Sequence, residues 1–218
     1  MYASQMFSGC TKLESVGMID GSHIEKAMYM FNQCTNLTSI HSIVNTENLN
    51  DTYGMFSNCR SLTSVPLFNT SKVTTMNSMF SNSGITTIPQ FNTSSLTVAT
   101  QMFNGCTNLT TVPQLDFSKV NAIDGMFYNC SSLTNLSGFT NLGKAFKQYT
   151  TSTSRTLDLS SSTVLTKESI MNVINNLAAP DDTTVTDATL KLSATSYALL
   201  TAEDIAIATA KNWSVVSA

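Results

Sequence analysis

Charged side chains are scarce in this sequence: they make up 11% of its 218 residues, against roughly 25% in an ordinary soluble domain. The 11 basic residues are scattered and the formal net charge is −3, so no basic patch for a phosphate backbone or an anionic membrane is present. No apolar run approaches the roughly 18 residues of a membrane span. We therefore expect no nucleic-acid partner and no membrane span. Uncharged Ser, Thr and Asn side chains must supply the polarity.

Side chains for acid–base or nucleophilic chemistry are also few. The two histidines, His23 and His41, lie in no Ser or Cys nucleophile motif, and the nine glycines form no phosphate-binding loop. The five cysteines include no Cys-x-x-Cys pair, which disfavours zinc. Asp181, Asp182 and Asp187 lack the spacing of a known calcium loop. The sequence thus predicts no catalytic residues, no metal, no cofactor and no enzyme activity.

What the sequence has instead is an internal repeat. A Met-Phe pair recurs every 23 to 25 residues, at Met6-Phe7, Met30-Phe31, Met55-Phe56, Met79-Phe80, Met102-Phe103 and Met126-Phe127. We number the repeats one to six by these pairs. Four residues after each Met stand Cys10, Cys34, Cys59, Ser83, Cys106 and Cys130. Recurrence of this kind is typical of stacked repeat proteins, in which equivalent residues lie above one another.

The spacing within a repeat predicts its local structure. Apolar residues three apart, such as Val73, Met76 and Met79, indicate one face of a short helix. The segment 62–67, LTSVPL, indicates the turn and strand of a leucine-rich repeat. The predicted fold class is therefore α/β: a leucine-rich-repeat solenoid of about six strand-helix coils of 23–25 residues, with a C-terminal strand-helix cap.

Segments 69–82 (NTSKVTTMNSMFSN) and 102–112 (MFNGCTNLTTV) resemble the repeats of BspA-like leucine-rich-repeat surface proteins. The likeness recurs six times and covers about residues 1–139. It implies a secreted or cell-surface adhesion module without enzymatic activity.

A different pattern follows the repeats. We predict a solenoid at 1–141, a connector rich in Thr and Ser at 142–154, and a strand-helix cap at 155–218. In the last segment the strands 157–159 and 190–192 each lead to a helix N-cap, at Thr166 and Thr201, and Trp213 lies on a final strand. Within it, segment 200–213 (LTAEDIAIATAKNW) also resembles C-terminal modules of gut-bacterial surface proteins and of phage tail proteins.

The repeated apolar residues and cysteines are expected to form the core. Met and Phe at core spacing are packing residues, and the cysteines are interpreted as free thiols in the interior; disulfides between neighbouring repeats are the disfavoured alternative. Residues that flank the inward aliphatic position of each strand then face outward. They form an almost uncharged candidate binding face that comprises Ser15, Ser39, His41, Ser64, Pro66, Thr87, Pro89, Thr111, Pro113 and Asn135.

These features predict a non-enzymatic binding or adhesion module that recognises a host or cell-surface protein or glycan through this face. A structural or receptor-binding component of a phage tail is the alternative. Either function places the chain outside the cell, on a bacterial surface or a virion, although the first residues show no secretion signal. The first repeat lacks the upstream part of its coil, so we also expect either that the chain is a fragment of a longer protein or that another domain or subunit covers that end.

Overall fold

The computed structural model describes residues 3–148 and 155–218. Within these ranges the strands are β1 (Ser15–Asp20), β2 (Ser39–Val44), β3 (Thr111–Val112), β4 (Leu115–Asp116), β5 (Asn135–Leu136), β6 (Phe139–Thr140), β7 (Thr156–Leu159), β8 (Ala188–Leu192) and β9 (Trp213–Ser217). The helices are α1 (Lys167–Asn176), α2 (Ala194–Tyr197) and α3 (Ala202–Thr209). None of the helices in the described ranges has the length and apolarity to cross a bilayer.

The predicted α/β leucine-rich-repeat solenoid of strand-helix coils is wrong. All three α-helices of the described residues lie beyond Thr166, so no helix forms around any Met-Phe pair. The strands of the repeats are short and belong to two-stranded parallel sheets, β1–β2, β3–β5 and β4–β6. A separate three-stranded parallel sheet, β7–β8–β9, forms in the C-terminal part.

Consecutive turns take the place of the predicted helix in each repeat. In the second repeat the Met30 N–H donates to the Ala27 carbonyl, and the Cys34 N–H donates to the Phe31 carbonyl, three residues earlier in each case. Turns of this kind place apolar side chains three residues apart, as a helix does. The spacing therefore predicted the buried residues correctly, but it did not distinguish a helix from consecutive turns.

Two left-handed residues in every repeat also prevent a helix, which requires negative φ throughout. One precedes the Met and the other lies three residues after it. With φ between 53° and 75°, the first set is Gln5, Tyr29, Gly54, Ser78, Gln101 and Gly125, and the second is Gly9, Gln33, Asn58, Asn82, Gly105 and Asn129. Gly and Asn, the residues that adopt this conformation at least cost, occupy seven of these twelve positions.

Between the turns, alternate N–H groups bond to the next repeat instead of within their own. The second repeat donates four such bonds of 2.7–2.9 Å, from Ala27, Tyr29, Phe31 and Gln33 to the carbonyls of Asp51, Tyr53, Met55 and Ser57. The same four positions donate at every interface from the first repeat to the sixth. Each repeat therefore depends on its neighbour for its backbone hydrogen bonds, which explains why the repeats stack in register.

A column of phenylalanine rings forms the centre of this stack. Adjacent rings, from Phe7 to Phe127, lie 5.2–5.8 Å apart between centroids, and their planes are within 15° of parallel. From the second repeat onward the paired Met and Phe are at most 2% exposed, which confirms the core interpretation. At the end of the stack Met6 is 56% exposed and Phe7 is half-buried. That another chain or domain covers this end stays a prediction.

The cysteines lie in a second column beside the rings. In the described residues all five are free, and four are buried while Cys10 is exposed, so the free-thiol interpretation is confirmed except for its burial at the first repeat. Each buried thiol donates to the Phe carbonyl of the preceding repeat, as Cys59 does to Phe31 at 3.0 Å. Ser83 takes the same position in the fourth repeat, where its Oγ lies 3.6 Å from the Cys106 Sγ.

Proline limits the strands on the other side of each repeat. Val65 and Ile88 are buried like Ile40 of β2 and Val112 of β3, but they lie outside any strand. Pro66 and Pro89 follow them directly and have no N–H to donate to a ladder. The sheet formed by β1 and β2 does not continue through the third and fourth repeats, and where a strand returns as β3, Pro113 directly follows its last residue, Val112.

The C-terminal part contains the strands and helix starts predicted for it. Strands β7, β8 and β9 pair in register, with Leu157 opposite Leu190 and Leu190 opposite Val215. The Thr166 side chain accepts the Ser169 N–H at the start of α1, and Thr201 forms a capping box at the start of α3. These side chains satisfy amide groups that a helix start leaves unpaired.

The same part packs directly on the sixth repeat. Ser169 of α1 donates to the Thr134 carbonyl and accepts the Leu136 N–H, each at 3.0 Å. Gly138 lies so close to α1 that an added Cβ would come within 2.8 Å of the Asn172 carbonyl oxygen. Of the predicted connector at 142–154, residues 149–154 lie outside the described residues. The predicted domain boundaries themselves stay predictions.

Candidate binding surface

The sheets bring four residues of the predicted binding face into register. Ser15 of β1 lies opposite Ser39 of β2, and Thr111 of β3 lies opposite Asn135 of β5. Ser15, Ser39 and Asn135 are exposed, and Thr111 is partly exposed. The hydroxyl and amide groups of adjacent repeats therefore lie side by side at both ends of the face.

The other six residues are placed less uniformly. His41 is exposed on β2, and Ser64 and Thr87 are exposed but lie outside strands. The prolines that follow the inward aliphatic residues are half-buried; they are Pro66, Pro89 and Pro113. The structure thus keeps all ten residues at least partly accessible, but only Ser15, Ser39, His41, Thr111 and Asn135 lie on paired strands.

A row of threonines beside this face was missed by sequence reasoning. Thr86, Thr110 and Thr134 each donate their Oγ1 to the carbonyl of the threonine one repeat earlier, at 3.1–3.4 Å. Thr38 donates in the same way to the Glu14 carbonyl at 2.9 Å. These hydroxyls link neighbouring repeats, and their protons are already donated to carbonyl groups. The sequence signal was that each of these threonines directly precedes a residue of the predicted face.

Sequence reasoning also missed a groove lined by the residues that follow the three prolines. Two adjoining cavities of about 470 Å³ and about 270 Å³ share Gln90 and Asn92 in their walls. We call this the amide groove; its walls include Val44, Asn45, Thr46, Leu67, Asn69, Thr70, Gln90, Asn92, Gln114, Asp116 and Thr140. Leu67, Gln90 and Gln114 directly follow the three prolines in sequence, so the groove borders the predicted face.

One wall of the amide groove is a row of asparagine and aspartate side chains. Asn69 accepts the Ser71 N–H at its Oδ1, and Asn92 accepts the Ser94 N–H in the same way, at 3.0 and 3.1 Å. Asp116 makes the equivalent bond to Ser118 at 2.9 Å. Such local bonds fix the side chain against its own backbone. No hydrogen bond from the Asn69 or Asn92 Nδ2 to any described residue is present.

The row continues toward the first repeat. Asn45 donates its Nδ2 to the Asp20 Oδ1 at 3.0 Å, and this hydrogen bond is the main reason why the pKa of Asp20 lies below its usual value. Behind the row, Thr46 and Thr70 are buried and donate to the carbonyls of Asn69 and Asn92. The wall is therefore held rigidly by bonds between repeats.

The floor and the far end of the groove are made by other residues. Phe68 and Phe91 are buried beneath it, with ring centroids 5.1 Å apart, whereas Leu67 is 63% exposed at its rim. Gln114 donates its Nε2 to both Thr140 and Asn176, each at 3.1 Å. Since Asn176 belongs to α1, the C-terminal part closes this end of the groove.

The walls of the groove carry few charged residues, and both of them are acidic. Glu47 is the one charged residue in the walls of its larger cavity, and Asp116 is the one in the smaller. Within 3–148 and 155–218, no three His, Cys, Asp or Glu side chains come together as metal ligands. Asp187, one of the acidic residues weighed for calcium, instead forms an ion pair with the buried Arg155.

The buried thiols are poor nucleophiles in this setting. Burial raises the pKa of Cys34 to about 11 and that of Cys59 to about 12, and the Cys106 pKa is likewise raised to about 11. These groups are therefore protonated at neutral pH, and the thiolate is the reactive form. The column of cysteines is therefore suited to packing in the core and not to nucleophilic catalysis.

Comparison with known proteins gives one match. The model of a family described as "Mycoplasma protein of unknown function, DUF285" matches residues 1–85 and 63–158. No curated protein and no solved structure matches the chain.

Proposed function

Because the chain belongs to the DUF285 family, whose function is unknown, we propose a function from its own surfaces. We infer that it is a non-enzymatic binding or adhesion module, displayed outside a bacterial cell, that recognises a host or cell-surface protein or glycan. The resemblance of its repeats to those of BspA-like surface proteins supports this proposal. The recognition surface is the predicted binding face together with the amide groove that borders it.

The observation that carries the proposal is a rigid, repeating, almost uncharged polar surface. Strand pairing aligns Ser15 with Ser39 and Thr111 with Asn135, and the side chains stand on a core whose central residues are fully buried. A surface held in this way loses little conformational freedom when it binds, which favours affinity. Extended faces of stacked repeats are commonly used for binding.

The test is binding of the purified chain to bacterial and host cells and to arrays of surface proteins and glycans. We expect Ser39→Glu combined with Thr111→Glu to weaken binding at least tenfold, because two buried charges would then lack partners in the interface. Asn108→Glu, at an exposed position outside the face, serves as the matched control and should bind normally.

Two results would contradict the proposal. One is measurable turnover of ester, peptide or glycoside substrates by the purified chain. The other is failure to bind any cell, protein or glycan while the chain associates with other subunits through large buried contacts, as a structural component of an assembly would.

A further inference from the structure

The amide groove suggests which class of ligand this surface takes. We propose that it binds an extended, neutral, β-1,4-linked glycan that lies along the stack with one sugar ring at each repeat. This inference rests on the proposed function and narrows it, since a binding module of this kind could also recognise a protein.

The first argument is the spacing of the groove. Chain segments in parallel register lie about 4.8 Å apart, and the two rings beneath the groove, Phe68 and Phe91, are 5.1 Å apart between centroids. Successive rings of an extended β-1,4-linked glycan advance by a comparable distance. Because successive rings of such a glycan are turned over relative to one another, each repeat can meet one sugar, and repeats two apart can offer the same contact to sugars two apart.

A peptide strand does not fit this spacing. Its residues advance by about 3.3 Å and its side chains alternate between two faces, so equivalent groups on one face recur only at about 6.6 Å. A peptide laid along the groove would lose register with the repeats after one or two contacts. The spacing therefore favours a glycan over an extended polypeptide.

The second argument is the state of the amide groups. The Oδ1 atoms of Asn69 and Asn92 are occupied by backbone N–H groups, while their Nδ2 groups donate to no described residue. Both residues are exposed in the wall of the groove. Two fixed donors in adjacent repeats are thus available to sugar hydroxyls, without the entropic cost of ordering them on binding.

The third argument is charge and apolar surface. With Glu47 the one charged residue in the larger cavity, the groove offers no cation to a sulfated or uronic-acid glycan. Leu67, which is 63% exposed at the rim, offers an apolar surface to the C–H face of a sugar ring. Sites for small polar ligands usually combine such an apolar surface with a few fixed hydrogen-bonding groups.

The experiment uses the full chain with cellohexaose and chitohexaose, titrated by calorimetry and followed by NMR. The test variant is Asn69→Asp with Asn92→Asp, which keeps the oxygen for the turn and removes the donor; Asp116 already makes this turn in the fifth repeat. We expect at least tenfold weaker binding, since each lost donor is worth about fivefold.

Two further variants make the test reciprocal. Asp116→Asn adds a third donor in the same row and should tighten binding several-fold. Asn108→Asp introduces the same chemical change at an exposed position outside the groove and should leave binding unchanged.

The outcomes separate this inference from the proposed function. If neither hexasaccharide binds while the chain still binds cells or a surface protein, the glycan inference is overturned and the proposed function survives. Equal affinity of the wild type and the double variant would also overturn it, because the groove would then not be the site. Tighter binding of an extended peptide or of an acidic hyaluronan fragment would overturn it as well. If no partner of any kind binds, both proposals fail.

Discussion

Truncation of a central ring gives the most direct test of the stack. Phe80 is fully buried, and its ring lies 5.6 Å from that of Phe56 and 5.8 Å from that of Phe103. Replacing a buried Phe with Ala costs about 3–5 kcal/mol of unfolding free energy. Because Phe80 has a ring on each side, we expect Phe80→Ala to fall in the upper half of that range, about 4–5 kcal/mol.

The first repeat provides the matched control. Phe7 is half-buried and has a single ring neighbour, Phe31, at 5.2 Å. Burial of a whole Phe side chain is worth about 1.5–3 kcal/mol in transfer free energy, so Phe7→Ala should cost only about 1–2 kcal/mol. The cost of the same substitution at these equivalent positions is therefore expected to differ by about 2–4 kcal/mol.

Equilibrium unfolding in urea measures the difference. The single tryptophan, Trp213, is 1% exposed and reports on the C-terminal part by fluorescence, while reactivity of the Cys106 thiol reports on the repeats. Two probes are needed because stacked repeats can unfold in more than one step.

A domain of this kind has a total stability of about 5–15 kcal/mol, so Phe80→Ala alone could abolish folding. Phe80→Leu keeps most of the volume and should cost less than about 2 kcal/mol. Equal costs for Phe7→Ala and Phe80→Ala, or a cost below about 1.5 kcal/mol for Phe80→Ala, would refute the stacked-ring interpretation.

Two other predictions follow from the cysteine column and the left-handed positions. Since burial raises the Cys34 and Cys59 pKa values from 9.0 to about 11 and about 12, the native state keeps protons that the unfolded chain releases. Unfolding free energy should therefore fall as pH rises from about 9 toward 12, and Cys34→Ser with Cys59→Ser should reduce this slope; an unchanged slope would contradict the assignment. Asn129, at φ 59°, takes the position that Gly105 has in the preceding repeat. Asn129→Gly should stay within about 0.5 kcal/mol of wild type, whereas Asn129→Val should cost about 1–3 kcal/mol, as measured by urea midpoints; equal stabilities would show that this φ imposes no constraint.

Much of the packing could be predicted from the sequence. The period of the Met-Phe pairs identified the residues that stack, and Phe31 and Cys34 are buried as their spacing indicated. The starts of α1 and α3 were also correct, because Thr166 and Thr201 satisfy the first amides with their own side chains. These features depend on contacts within a few residues, or on a repeat that the sequence itself displays.

The surface that we propose for binding could be located only in part from the sequence, and its role stays a prediction. The outward residues of the strands follow from alternation, so Ser39 and Thr111 could be found in this way. The amide groove could not, because its walls come from residues after each strand whose side chains bond locally. A recurring Asn or Asp, as at Asn69 and Asn92, was the available signal.

The sequence by itself determined the period, the buried rows and the scarcity of charge. Only the tertiary structure decided that each repeat is a run of turns and not a strand and a helix. A helix satisfies its N–H groups within one segment, whereas here Tyr29 and Phe31 donate to the next repeat. Apolar residues three apart serve either conformation equally well. The choice depends on whether a neighbouring segment supplies the acceptors, and that is a property of the folded stack.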